Sequence, residues 1–272
     1  MTGKLEGRVA FITGAARGQG RAHAVRLARE GVDIIGVDIC ADIPSMNYPC
    51  GTWAELEETA DLVGKEGRRA IIGRADVRDQ AALRAVFDEG YAAFGRVDII
   101  LANAGILRVG DSVDPAREWQ DTIDILLTGT FNTVQVALPR LREGGRGGSI
   151  VITSSSAGLK GTASEEPSAQ AYTAAKRGLV GYMQVLANQY AAEMIRVNTI
   201  HPTGVVSGMT MNAAMQAAMA KADSNVSAMQ NALPIPILQP EDIAGAVAYL
   251  VSDEARFITG TQWALDAGFS VR

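Results

Sequence analysis

Tyr172 and Lys176 stand four residues apart in Tyr172-Thr173-Ala174-Ala175-Lys176, downstream of a serine run, Ser154-Ser155-Ser156-Ala157-Gly158. On a helix, residues at that spacing share one face. An unperturbed phenol titrates near pKa ~10 and is a poor base at neutral pH. A neighbouring ammonium stabilises the phenolate and brings its pKa toward the working range. A serine hydroxyl beside the pair can hydrogen-bond a substrate oxygen as an alkoxide becomes a carbonyl. Taken alone, a Tyr/Lys pair is more often surface decoration than chemistry. Its place in the chain decides.

Most of the chain alternates short β-branched runs with longer amphipathic stretches, the pattern of a parallel sheet covered by helices. Strands are expected at Arg8–Thr13, Val32–Asp38, Arg69–Ala75, Val97–Ala102, Ser149–Thr153, Ile195–Ile200 and near Thr261–Leu265. Runs such as Val97-Asp98-Ile99-Ile100-Leu101 are nearly continuously apolar, as strands buried on both faces should be. Helices are expected at Gln19–Glu30, Trp53–Lys65, Gln80–Phe94, Pro115–Arg142, Ser168–Ala192 and Glu241–Ser252. Thr52-Trp53-Ala54-Glu55 fits a capping box, and Pro240 with Glu241 and Asp242 reads as another helix start. The glycine-rich run at 144–148 is a turn, since no helix follows it directly.

No repeat or linker divides the chain, so 1–272 reads as one domain. Two segments break the rhythm. Ile39–Gly51 carries Pro44, Pro49, Cys40 and Cys50 and exceeds the common connection of roughly 4–6 residues. Thr203–Ile237 is rich in Met and Ala, with Met211, Met215 and Met219 four apart. It reads either as a packing face or as a substrate lid with a soft apolar surface.

Gly14-Ala15-Ala16-Arg17-Gly18-Gln19-Gly20 follows the first strand and opens the first helix. There, Gly14 permits the tight turn, Gly18 lets backbone approach a pyrophosphate, and Gly20 allows close helix packing. The helix N-terminus adds unpaired N–H groups and partial positive charge. Asp38 closes the second strand, where an acid accepts from ribose hydroxyls and repels a 2′-phosphate. Arg17 points the other way, because a guanidinium could pair with that phosphate. The acid outweighs it, since an Arg can swing into solvent, so NAD is favoured over NADP. Asp76 and Val77 would fall beside an adenine ring, and Asn103-Ala104-Gly105 would line the passage of a ribose. All these residues sit at carboxyl ends of parallel strands, the ligand edge of an open α/β sheet. The positive nicotinamide of NAD⁺ would then assist Lys176 in stabilising a Tyr172 phenolate.

Composition narrows the alternatives. The 272 residues are 47% apolar and 20% charged with net charge −5, which argues against long disorder and against a nucleic-acid surface. No run approaches 18 uninterrupted apolar residues, so no membrane span is expected. Residues Met1 to Arg8 lack an apolar signal core, which points to a cytoplasmic protein. Two cysteines are too few for a disulfide framework or a zinc cluster. His23 and His201 offer no metal site and read as structural or near-cofactor residues. Glu165 and Glu166 read as a solvated loop rim, since adjacent carboxylates cannot flank one substrate from opposite sides.

The chain resembles the short-chain dehydrogenase/reductase superfamily from its first strand to its end. The matching motifs are Thr13-Gly14-x3-Gly18-x-Gly20, Asp76-Val77, Asn103-Ala104-Gly105, Ser155, Tyr172-x3-Lys176 and Pro202-x-Gly204. The resemblance implies a doubly wound Rossmann α/β fold with a seven-stranded parallel sheet and helices on both faces. It implies Ser155 orienting substrate, Tyr172 as general acid/base, and Lys176 holding the nicotinamide ribose while lowering the Tyr172 pKa. Gln19, Pro202, Gly204, Val205 and Ser207 fall among the implied cofactor contacts, Ser207 replacing a usual Thr. It further implies a D₂ homotetramer built on the long helices 115–142 and 168–192 and on the segment 266–272.

A narrower resemblance, to the mycofactocin-coupled, carveol dehydrogenase-like subfamily, lies in Gly14–Arg21, the insertion after Asp38, and His201-Pro202-Thr203-Gly204. It implies tightly held NAD, oxidation of an apolar secondary alcohol such as a terpenoid, and re-oxidation in place by a redox peptide, mycofactocin. The insertion could then fold over the adenosine end and slow cofactor release. One position departs from the family. Leu126 replaces an Asn understood to hold a relay water, and leucine has no donor or acceptor. The relay then runs by another water route, or through Thr128, or the protein is a catalytically weak nucleotide binder. An NADPH-dependent ketoreductase, suggested by Arg17, is the remaining alternative.

Overall fold

The computed structural model describes residues 3–221 and 230–272, without the side chains of 219 and 221. Seven strands form one sheet: β1 (Val9–Thr13), β2 (Asp33–Asp38), β3 (Ala70–Arg74), β4 (Ile99–Ala102), β5 (Gly148–Thr153), β6 (Ile195–Pro202) and β7 (Gln262–Leu265). The order is β3-β2-β1-β4-β5-β6-β7 and every pairing is parallel. The order reverses between β1 and β4, and the crevice outside that switch point is where such sheets bind ligands.

The helices are α1 (Gly18–Arg29), α2 (Trp53–Lys65), α3 (Gln80–Phe94), α4 (Pro115–Ile123), α5 (Gly129–Glu143), α6 (Ser156–Lys160), α7 (Pro167–Tyr190), α8 (Ala213–Lys221) and α9 (Pro240–Val251). They cover both faces and divide the core into two apolar clusters. Phe11, Ile35, Phe87, Ile100, Ile150, Leu179 and Val197 build one; Ile12, Leu27, Ile34, Leu56, Leu101, Ile200 and Val247 build the other. Alternation along β1 and β2 sends successive side chains to opposite clusters, which is why these strands carry no polar face. The capping box forms at Thr52, whose side chain accepts from Glu55 N–H while Glu55 accepts from Thr52.

Three local expectations change. The helix expected over 115–142 is two helices joined by a π-turn at Asp124–Thr128, where Gly129 N–H donates to the Asp124 carbonyl. A methyl on Gly129 would lie 2.5 Å from Val77, so the chain passes close to Val77 at this point. Widening one turn adds a residue without breaking the apolar period, so the pattern does not reveal it. The serine run, outside every expected helix, opens the short helix α6, with Ser155 as its N-cap. Met211 precedes α8 and is exposed, so Met211 and Met215 do not form one helical face. The expected 203–237 lid contains residues 222–229, which lie outside the described residues.

Candidate active site

Gly14 and Gly18 both have positive φ, 70° and 56°, which a side chain would strain. A methyl on Gly20 would lie 1.9 Å from the Gly14 carbonyl oxygen, so the strand–turn–helix closes only with glycine there. Among the described residues, no side chain caps the start of α1, and its first turn holds no acid. Its N–H groups therefore face the crevice unpaired, as a pyrophosphate requires. Gln19 Oε1, buried at the same turn, has no partner among the described residues. An orphaned acceptor beside free N–H groups fits a polar ligand carrying both donors and acceptors.

Asp38 is held rigidly. Its Oδ2 accepts from Ala16 N–H at 3.0 Å and its Oδ1 from Cys40 N–H at 3.3 Å. Burial raises its pKa, while these N–H groups and the Arg17 charge oppose the rise. Arg17 is committed elsewhere: it donates to the Pro49 carbonyl at 2.5 Å and pairs with Glu55 at 3.8 Å. The guanidinium expected to compete for a 2′-phosphate is thus tied to the insertion. Asp76 is bound by the Arg78 guanidinium at 2.6 Å, and Arg78 reaches on to Asp121 at 2.8 Å. Val77 is buried beside them. Asn103 is a staple: Nδ2 donates to the Thr13 carbonyl at 3.0 Å, and Oδ1 accepts from Thr153 at 3.3 Å. Ala104 N–H reaches Thr13 Oγ1 at 3.3 Å.

Thr153, Ser154 and Ser155 leave β5 toward α7. Ser154 Oγ donates to the Lys176 carbonyl at 2.7 Å, and Lys176 Nζ donates to the Thr153 carbonyl at 2.5 Å. Ser155 Oγ accepts from Ala157 N–H at 3.1 Å and lies close enough to the Tyr172 phenol to lower its pKa. Lys176 Nζ lies 5.6 Å from the Tyr172 ring centre. Burial lowers the Lys176 pKa to about 7. The Tyr172 pKa is raised by burial and pulled back by Ser155. Around the protein's own groups desolvation wins, so the lowering expected of the phenol needs the nicotinamide charge as well as the ammonium.

Pro202 ends β6 and Gly204 to Val206 pair with Leu238 through Gly204 O, Val206 N–H and a Val205 bridge. Ser207 carries its Oγ 3.3 Å from Thr210 Oγ1 and faces the glycine loop, 3.4 Å from the position of a Gly18 methyl. Leu126 is fully buried, and its Cδ2 would lie 2.9 Å from a methyl on Gly105. Thr128, the expected substitute for the missing amide, is exposed; Thr130 Oγ1 instead donates to the Leu126 carbonyl at 2.8 Å.

Sequence reasoning gave three residues no specific place in the site. Tyr48, in the insertion, is buried with its hydroxyl 3.3 Å from Leu107 N–H. Burial pushes its pKa up to about 12, and Arg17 and Tyr172 are close enough to act on it. With Ser45 on Asp121 at 2.6 Å and Asn47 on the Val109 carbonyl at 2.8 Å, the insertion crosses from β2 to the β4–α4 loop. It therefore extends past the adenosine end expected for it. His201 contacts the Ser155 carbonyl at 2.9 Å. Glu166, expected on a solvated rim, buries its Oε2 with no partner among the described residues. Only the insertion's length signalled any of this.

Residues 14–270 match the profile of the enoyl-(acyl carrier protein) reductase family. The chain belongs to the short-chain dehydrogenases/reductases. It is 46% identical to the (−)-trans-carveol dehydrogenase of Rhodococcus erythropolis over 279 residues, 99% of each chain. An uncharacterized oxidoreductase of Mycobacterium tuberculosis is 50% identical over 268 residues, 97% of each. Among solved structures, carveol dehydrogenase from Mycobacterium avium in complex with NAD superposes with TM-score 0.92 at 44% identity, covering 100% of both chains. A short-chain dehydrogenase from Mycobacterium paratuberculosis bound to NAD gives 0.91 at 45%, covering 99% of this chain and 100% of that one.

Proposed function

We propose that this protein is an NAD-dependent dehydrogenase of secondary alcohols. The observation that carries the reading is Tyr172 beside Ser155 and one helical turn from Lys176, next to an uncapped glycine-loop helix and a locked Asp38. Gly14 to Gly20 would hold the pyrophosphate, Asp38 the adenosine ribose, Lys176 the nicotinamide ribose, and Ser207 the carboxamide. Val77, Gly105, Pro202, Gly204 and Val205 would line the remaining path. When bound, NAD supplies a hydride acceptor and a fixed positive charge beside the phenol.

Tyr172 takes the proton from the substrate hydroxyl. Ser155 accepts from Ala157 N–H, and its single O–H, which favours the Tyr172 phenolate in the empty site, would turn to the substrate oxygen once the alcohol is bound. Lys176, held by the Thr153 carbonyl, orients the ribose and adds positive charge when protonated. The substrate class is apolar, in keeping with the Met- and Ala-rich stretch 203–237 and with a relative named for carveol. The insertion, tied to Arg17, Leu107, Val109 and Asp121, would retain NAD through turnover. An external redox partner, such as the peptide mycofactocin, would then re-oxidise it in place. Exposed apolar residues on α4, α5 and α7 (Trp119, Phe131, Val185) and near the C-terminus (Phe257, Val271) favour a homotetramer.

The test is a panel of secondary alcohols, carveol included, assayed with an artificial electron acceptor and with free NAD, together with release and identification of the bound nucleotide. Turnover of apolar secondary alcohols with NAD released is expected. Failure of the whole panel, or NADP as the released nucleotide, would overturn the assignment.

A further inference from the structure

Ser155 is gripped from behind the site. Its carbonyl accepts from Gly158 N–H at 3.0 Å and lies 2.9 Å from His201 Nδ1. A carbonyl can only accept, so Nδ1 carries the ring proton. Nε2, 2.9 Å from Thr199 Oγ1, then accepts from that hydroxyl. The ring is fully buried on β6, the strand beside β5. Burial lowers its pKa, the Ser155 carbonyl and Asp266 oppose the drop, and the Lys176 and Arg177 charges add to it.

The bonds from α7 act on the two preceding residues, Thr153 and Ser154. Among the described residues, His201 is the side chain that holds the Ser155 carbonyl. We propose that His201 is a positioning residue: its Nδ1–H sets the Ser155 peptide so that the Ser155 hydroxyl meets both the Tyr172 phenol and the substrate oxygen. Nothing in the ring touches substrate; it acts through Ser155. The inference rests on the reading of Ser155, Tyr172 and Lys176 as the reacting centre.

Two amides separate this role from simple core packing. The amide nitrogen of His201→Asn can take the place of Nδ1, whereas that of His201→Gln reaches only the place of Nε2. His201→Gln should lose about tenfold to a hundredfold in kcat, with alcohol KM and bound NAD little changed, because a misplaced hydroxyl costs rate before it costs binding. His201→Asn should stay within about threefold of the parent. Crystal structures of the two variants should show Ser155 Oγ withdrawn from Tyr172 in the Gln protein and kept there in the Asn protein. Equal turnover of both variants, or an unmoved Ser155 in the Gln protein, would overturn the proposal. Should His201→Gln not fold, Thr199→Val removes the hydroxyl at Nε2. Lower kcat at unchanged NAD content would then support the role, and parental kcat would refute it. If the parent itself oxidises no alcohol, the functional reading fails, while the position of Ser155 in the crystals still decides this one.

Discussion

The Lys176 ammonium stands 5.6 Å from the centre of the Tyr172 ring and spends a hydrogen bond of 2.5 Å on the Thr153 carbonyl rather than on the phenol. Its influence on the phenol is therefore through space and through the ribose it would hold. Ser155 is the hydroxyl that acts on the phenol, and it favours the phenolate. Oxidation needs Tyr172 deprotonated, so kcat/KM for alcohols should rise with pH up to the Tyr172 pKa. Ser155→Ala removes the group that lowers that pKa and should move the rising limb to higher pH, with at least about a hundredfold loss of rate. Tyr172→Phe should abolish turnover yet still hold NAD. A Ser155→Ala profile superposable on the parent's would refute the assignment.

Lys176 also leaves a mark on stability. Burial depresses its pKa from 10.5 to about 7. Below about pH 7 the residue is charged in both folded and unfolded chains, and the folded state bears the full cost of desolvating it. Above the ordinary lysine range it is neutral in both, and that cost vanishes. Between these limits the unfolded chain binds more protons, so stability climbs with pH. Lys176→Met should melt higher than the parent in the nucleotide-free protein near pH 6, with the two curves converging toward pH 10. A Met variant less stable than the parent at pH 6 would count against the buried ammonium.

Asp38 sets the choice of nucleotide by charge and by rigidity. Both oxygens are fixed by N–H donors, so the carboxylate cannot turn away from an incoming 2′-phosphate. Asp38→Asn keeps the shape and removes the repulsion. It should improve NADP affinity about tenfold and weaken NAD by a similar factor. Titration calorimetry on nucleotide-free protein measures both. An unchanged ratio would place discrimination elsewhere.

What was legible beforehand divides along a physical line. Strand periodicity, the glycine loop and the Tyr172–Lys176 spacing are local, because each is written within one turn or one strand, and the parallel sheet follows from them. The π-turn at 124–128 was hidden because an inserted residue leaves the apolar stripe intact. Tyr48 and His201 were missed for a different reason: their partners, Leu107 and Ser155, lie 59 and 46 positions away in the chain. No pattern in a single sequence pairs them. Glu166 looked solvated because its neighbour Glu165 is.

The insertion makes a kinetic claim. Arg17 joins the glycine loop to Pro49, and Asn47 joins the insertion to Val109; on the proposed function these bonds would have to break before NAD leaves. Prolonged dialysis should leave nucleotide in the parent protein. Arg17→Ala and Asn47→Ala should each shorten its residence, Arg17→Ala by about tenfold or more, since hydrogen bonds from a charged donor are worth roughly 1.5–3 kcal/mol. Complete loss of nucleotide from the parent within minutes would show that the insertion does not retain it.

Leu126 offers the sharpest test of proton flow. Its side chain fills the space beneath Gly105, and a Gly105 methyl placed there would also lie 3.8 Å from Lys176 Nζ. Burial lowers the Lys176 pKa, and an apolar Leu126 on the far side of Gly105 offers no group that could hold water toward the ammonium. The π-turn persists around Leu126, so backbone shape does not depend on an amide at this position. Leu126→Asn is smaller and polar, and it admits a water beside Lys176 without redrawing the turn. It should raise kcat or move its pH dependence, and it should bring the Lys176 pKa back toward the ordinary lysine value. Stopped-flow proton release and a pH–rate profile read both. If neither changes, protons leave Tyr172 by a path that avoids Leu126 altogether, and the substitution is neutral to catalysis.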